Sequence, residues 1–174
     1  MKLRELLAGV PICAGSADLE MEISGVSYDS RTTRPGDLFV AMTGFATDGH
    51  QYIAKALANG AAAVLCQRRP AEACAYVQTE DSRRALAVIG GNWFGHPAEE
   101  MTMIAVTGTC GKTTTTYLLK AILEQARGAK VGLIGTNQNM IGSDVIPTER
   151  TTPESFEVQK LFREMADAGC THVV

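Results

Sequence analysis

The amino-acid sequence predicts an α/β fold in two parts, on three observations. Short apolar runs alternate with segments of helical periodicity along the 174 residues, the pattern of strands joined through helices. One junction is the turn Thr107-Gly108-Thr109-Cys110-Gly111-Lys112-Thr113-Thr114, which links an apolar run to a helix. Gly95-His96-Pro97-Ala98 breaks the pattern just before that run. It marks a boundary between a domain over residues 1–98 and the truncated start of a second over 99–174.

The first part reads as strands at Met21-Glu22-Ile23 through Val26 and at Asp37–Ala41, joined by a polar loop with the turn Pro35-Gly36. A helix follows over Gln51–Asn59, with Ile53, Ala54, Leu57 and Ala58 inward and Gly60 as terminator. Ala62–Cys66 and Ala75-Tyr76-Val77 read as further strands, and Asp81 as the N-cap of a helix over Arg84–Phe94. In the second part, Thr102–Val106 reads as a buried strand feeding the glycine turn. Tyr117, Leu118, Ile122 and Ala126 then recur at helical spacing. Lys130–Thr136 forms the next strand, a loop runs to Arg150, and Thr152-Pro153 opens a helix with Phe156, Leu161, Phe162 and Met165 on its apolar side. Thr171–Val174 reads as the opening of another buried strand, so a fragment is expected.

With 45% hydrophobic and 20% charged residues, the chain is globular. A net charge of −3 supplies no field for nucleic acid or an anionic membrane. Five cysteines, odd in number and without C-x-x-C spacing, point to a reducing cytoplasm and to neither a disulfide framework nor a zinc site. No apolar run approaches membrane-spanning length, and Leu6-Leu7-Ala8 is too brief for a leader. The expectation is a cytoplasmic monomer with no nucleic-acid or membrane partner.

The glycine turn carries the chemistry. Backbone amides around Gly108 to Lys112 can converge on one anion, and the following helix adds partial positive charge. Lys112 would hold the terminal phosphates of a nucleotide, and the Thr113 hydroxyl would join a Mg²⁺ shell. The general P-loop pattern asks for glycine where this chain has Val106, so a glycine-rich turn with an exposed lysine is the competing reading. Ser30, between Asp29 and Arg31, is either a nucleotide contact, with the guanidinium on a pyrophosphate, or part of a solvated turn. Arg150, Thr151 and Thr152 form a second anion candidate, or Thr152 merely caps a helix. Cys110 is a thiol at a helix amino terminus or simply a small loop residue. His50, His96 and His172 share no ligand spacing.

Together these motifs resemble the Mur ligases, over the whole chain. The marks are Val26-Ser27-Tyr28-Asp29-Ser30-Arg31, Pro35 to Ala41, Asp48-Gly49-His50, Gly60 to Val64, Thr107 to Thr115, Gly132 to Thr136 and Thr151-Thr152-Pro153-Glu154-Ser155. The shortened glycine spacing is that family's. The resemblance implies a small α/β UDP-substrate-binding domain followed by a partial P-loop domain. Ser30, Phe45, Ala46 and Thr47 would lie near the uridine diphosphate. Gly108, Thr109, Cys110, Gly111, Lys112, Thr113 and Thr114 would bind ATP, with Lys112 and Thr113 catalytic and Thr113 on Mg²⁺. Thr151 and Thr152 would contact the muramoyl-dipeptide side. The family most often has asparagine at Cys110, so that asparagine's side-chain contact is not carried over.

The similarity is greatest to members that add a third residue, diaminopimelate or lysine, to UDP-N-acetylmuramoyl-L-alanyl-D-glutamate through an acyl phosphate. The family's acidic metal ligand and its amino-acid-selecting domain would lie beyond Val174, so this chain alone is expected to be inactive. A stand-alone UDP-sugar or nucleotide-binding module and an unrelated P-loop ATPase are the alternatives.

Overall fold

The computed structural model describes residues 1–44, 47–146 and 153–174. They form two compact units, Met1–Trp93 and Phe94–Val174, each mixed α/β. The first contains α1 (Leu3–Leu6), β1 (Ala14–Gly15), β2 (Gly25–Ser27), β3 (Asp37–Val40), a 3₁₀ turn (Gly49–Tyr52) running into α2 (Ile53–Ala58), β4 (Ala63–Cys66), β5 (Tyr76–Gln78) and α3 (Ser82–Phe94). The sheet order is β1-β5-β4-β3-β2. Strands β2 to β5 are parallel, and β1 closes one edge antiparallel.

Every residue of β3 and β4 is buried, as expected of central parallel strands covered on both faces. Phe39 and Val64 pack with Ile53 and Ala56 of α2. Gly60 ends α2 with φ +96°, and a Cβ there would lie 2.9 Å from Pro35 Cα, so both conformation and space require glycine. Asp81 caps α3 as expected, its Oδ1 accepting the amides of Arg83 and Arg84 at 3.0 Å. The expected strand at Met21–Ile23 is corrected. Only Gly25–Ser27 joins the sheet, because Met21 O and Leu19 O accept the amides of Leu3 and Arg4, and Ile23 N–H donates to Met1 O.

The second unit holds β6 (Thr102–Met103), α4 (Lys112–Arg127), β7 (Val131–Ile134), β8 (Asn139–Ile141), β9 (Asp144–Ile146), α5 (Ser155–Asp167) and β10 (His172–Val173). Its order is β6-β10-β7-β8-β9, with β10 parallel to both neighbours. Tyr117, Leu119 and Leu123 of α4 pack on Val131, Leu133 and Val174. Phe162, Met165 and Ala166 of α5 pack with Met101, Cys170 and Val173. Val173 and Val174 are successive residues, so the two helices cover opposite faces of the sheet.

Four expectations change here. The run 102–106 is an exposed edge strand of two residues, extended by Ile104 N–H donating to Val173 O at 2.8 Å, and not a buried strand. Leu118 and Ile122 are 57% and 59% exposed and Ala126 is exposed too, so of the apolar positions expected on α4 Tyr117 alone faces the sheet, joined by Leu119 and Leu123. The expected loop to Arg150 contains the hairpin β8–β9, turned at Gly142 with φ +58°. Helix α5 begins at Ser155 rather than Thr152-Pro153. Glu154 is its N-cap, and the Glu154 amide donates to Glu157 Oε2 at 2.9 Å in a capping box.

Candidate functional site

The glycine turn joins β6 to α4. Gly108 has φ +154° and Gly111 φ +77°, both in the region that favours glycine. Gly111 is the N-cap of α4, and no side chain caps the helix. The first amides of a 16-residue helix therefore open into the turn, an arrangement suited to anions. Thr115 N–H donates to Gly111 O at 2.9 Å and starts the helical ladder. Lys112 Nζ reaches back to donate to Gly108 O at 2.5 Å, which places its ammonium over the turn. Thr113 is half-buried, while Thr109, Cys110 and Thr114 are exposed.

A phosphate group fits this donor set: backbone amides, one ammonium and a hydroxyl. For a metal ion the turn offers hydroxyl and carbonyl oxygens and the Cys110 thiol, and no group of three or more His, Cys, Asp or Glu residues that could hold one is found among the described residues.

In the first unit, the carboxyl ends of the parallel strands share one edge, where open α/β sheets bind ligands. Ser30 follows β2 there. It is 5% exposed, and its carbonyl accepts Asn59 Nδ2 at 2.7 Å. Arg31 donates Nε and Nη2 to the Asp29 carboxylate at 3.0 and 2.6 Å. That pairing holds the Asp29 carboxyl down to about 2. The Arg31 guanidinium, an exposed side chain, pairs here with Asp29. Thr47 follows β3, and its carbonyl accepts Gly44 N–H at 2.9 Å. Phe45, Ala46, Thr151 and Thr152 lie outside the described residues.

Two features escaped the sequence reading. Asp48, His50, Gln67 and Arg68 form a hydrogen-bonded group beside Thr47. On α5, Ser155 Oγ and Gln159 Oε1 are buried without a hydrogen-bond partner among the described residues. Asp48-Gly49-His50 stands out in the sequence, but only the adjacency of β3 and β4 brings Gln67 to it.

A strand, a glycine turn with an uncapped helix and flanking sheet helices define an α/β protein of the P-loop class. Residues 106–174 match the Mur ligase middle domain, and residues 22–101 match the model described as Mur ligase family, catalytic domain. The chain belongs to the Mur ligase family.

A UDP-N-acetylmuramoyl-L-alanyl-D-glutamate–2,6-diaminopimelate ligase of Clostridium botulinum is 48% identical over 158 residues, covering 88% of this chain and 32% of the relative. The ligase of that name from Caldanaerobacter subterraneus is 48% identical over 176 residues, covering 100% and 36%. A solved structure carrying that ligase name superposes with a TM-score of 0.81 at 26% identity, covering 99% of this chain and 35% of the other. The MurF ligase of Thermotoga maritima, solved in complex with ADP, superposes at 0.58 with 27% identity, covering 86% and 30%. The chain spans about a third of the length of the curated relatives it matches. No helix among the described residues is long and apolar enough to cross a membrane.

Proposed function

We propose that this chain supplies two parts of a cytoplasmic ligase of peptidoglycan synthesis. Residues 1–98 bind the UDP end of UDP-N-acetylmuramoyl-L-alanyl-D-glutamate, and residues 99–174 begin the domain that binds ATP. The ligase adds a third residue, diaminopimelate by analogy with the named relatives.

The carrying observation is the turn at Gly108–Thr114: two glycines of positive φ, an uncapped helix amino terminus and an ammonium folded over both. Amides and Lys112 take the phosphates, and the Thr113 hydroxyl contributes an oxygen to Mg²⁺, which neutralises phosphate charge when bound. The substrate carboxylate accepts the γ-phosphoryl group of ATP, and the amine of the incoming amino acid displaces phosphate from the acyl phosphate. Such transfer needs positioning and charge neutralisation more than a protein nucleophile, which fits a site built of amides, a lysine and a threonine. Ser30, Phe45, Ala46 and Thr47 are assigned to the uridine diphosphate, and Thr151 and Thr152 to the muramoyl dipeptide.

Calorimetric titration of the purified chain with ATP and Mg²⁺ tests the nucleotide half. Lys112→Ala removes charge-assisted bonds of ~1.5–3 kcal/mol, weakening ATP about 10- to 150-fold; equal affinity overturns the assignment. UDP-muramoyl dipeptide should bind as well, which an unrelated P-loop ATPase would ignore. Ligation by the 174-residue chain alone is expected to be absent.

A further inference from the structure

The group around His50 ties two loops at the carboxyl end of the first sheet, and its chemistry admits one protonation pattern. Asp48 Oδ1 accepts both the backbone N–H of His50 at 3.0 Å and the ring Nδ1 at 2.6 Å. Arg68 Nη2 closes on Asp48 Oδ2. Asp48 is held ionised to about 2, chiefly by the His50 backbone amide, so it can only accept. The proton therefore sits on Nδ1. Nε2 in turn accepts the backbone N–H of Gln67 at 3.0 Å. The imidazole side chain is 6% exposed, so water is a poor substitute for either partner.

Gln67 extends the tie. Its Oε1 accepts from Thr43 Oγ1 at 3.0 Å and from Ser82 Oγ at 3.2 Å, and its Nε2 donates to Glu80 O at 3.0 Å. Thr43 and Asp48 pair as an antiparallel bridge, and Gly44 N–H donates to Thr47 O just inside it.

We propose that His50, neutral with its proton on Nδ1, is the positioning residue for Thr47. It touches no substrate. It fixes Asp48 against the end of β4, and through the bridge to Thr43 it fixes Thr47 before a UDP-linked ligand arrives. An ordered contact spares the ligand the entropy of ordering it. The proposal rests on reading this unit as the UDP-substrate-binding domain.

Two substitutions separate positioning from mere filling of space. His50→Phe keeps the ring and loses both hydrogen bonds; His50→Gln keeps an acceptor close to the Nε2 position. Calorimetry with UDP-muramoyl dipeptide should show His50→Phe about tenfold weaker and His50→Gln near wild type. Exchange of the Gly44 amide should quicken about tenfold in His50→Phe while Leu65 in β4 stays protected. The wild-type ring should show ¹⁵N shifts of the Nδ1–H tautomer, a measurement that needs no variant to fold.

A ring protonated on Nε2 overturns the proposal, as does a His50→Phe chain with wild-type affinity and wild-type Gly44 exchange. Wild-type protein that ignores UDP-muramoyl dipeptide is a different result. It overturns the substrate reading, while the ring spectrum and Gly44 exchange still decide the part of His50.

Discussion

The two candidate sites are ordered by opposite means. At the glycine turn the backbone does the work: two positive-φ glycines set the direction of its amides, and Lys112 donates to a carbonyl four residues away. Around Thr47 the side chains do it, with Asp48, His50 and Gln67 linking segments 17 residues apart. The difference teaches where each is vulnerable. A backbone site fails when a Cβ forbids its dihedrals; a side-chain site fails when a donor or acceptor is lost or titrated.

Gly111→Val should break the backbone site most completely. A β-branched residue at φ +77° costs ~1–2 kcal/mol of strain and redirects the amides, so ATP should bind about tenfold or more weakly by calorimetry. UDP-muramoyl dipeptide affinity should hold, and a joint loss would mean that the two sites are not independent.

Asp48→Asn sharpens the other half through pH. The folded carboxyl is depressed to about 2 from its ordinary 3.8. Its contribution to stability is therefore present above the unfolded value and lost as pH falls through the folded one. Wild-type chain should lose melting temperature between about pH 4 and pH 2, and the Asn variant should lose less over that window. Identical acid profiles would show that Asp48 does not hold the loop.

The smallest effect is expected on α4. Leu118→Gln removes a leucine that is 57% exposed, and thermal unfolding should change by within about 0.5 kcal/mol. A larger loss would place Leu118 against the protein after all.

The geometry of the glycine turn was legible because everything that makes it is local: glycine spacing, a lysine and a helix start within Gly108–Thr114. The Asp81 cap and the Gly60 terminator were legible for the same reason. The hairpin at Gly142 was not, since its strands are three residues each and Asn139 alone among them is buried. Helix α4 carries apolar residues on two sides, so periodicity could not say whether Leu118 and Ile122 or Leu119 and Leu123 meet the sheet. The ion pair of Arg31 with Asp29 was not legible, because sequence shows two charges without the distance between them.

By itself, then, the sequence determined the α/β alternation, the family and the glycine turn that opens α4, because propensity, glycine dihedrals and helix dipoles act within a few residues. Tertiary structure alone decided which face of α4 is buried, that the run at 102–106 is an edge strand, and that His50 carries its proton on Nδ1. Each of these depends on which strand lies beside which. The parallel pairing of β3 with β4 brings the backbone amide of Gln67 to the ring of His50.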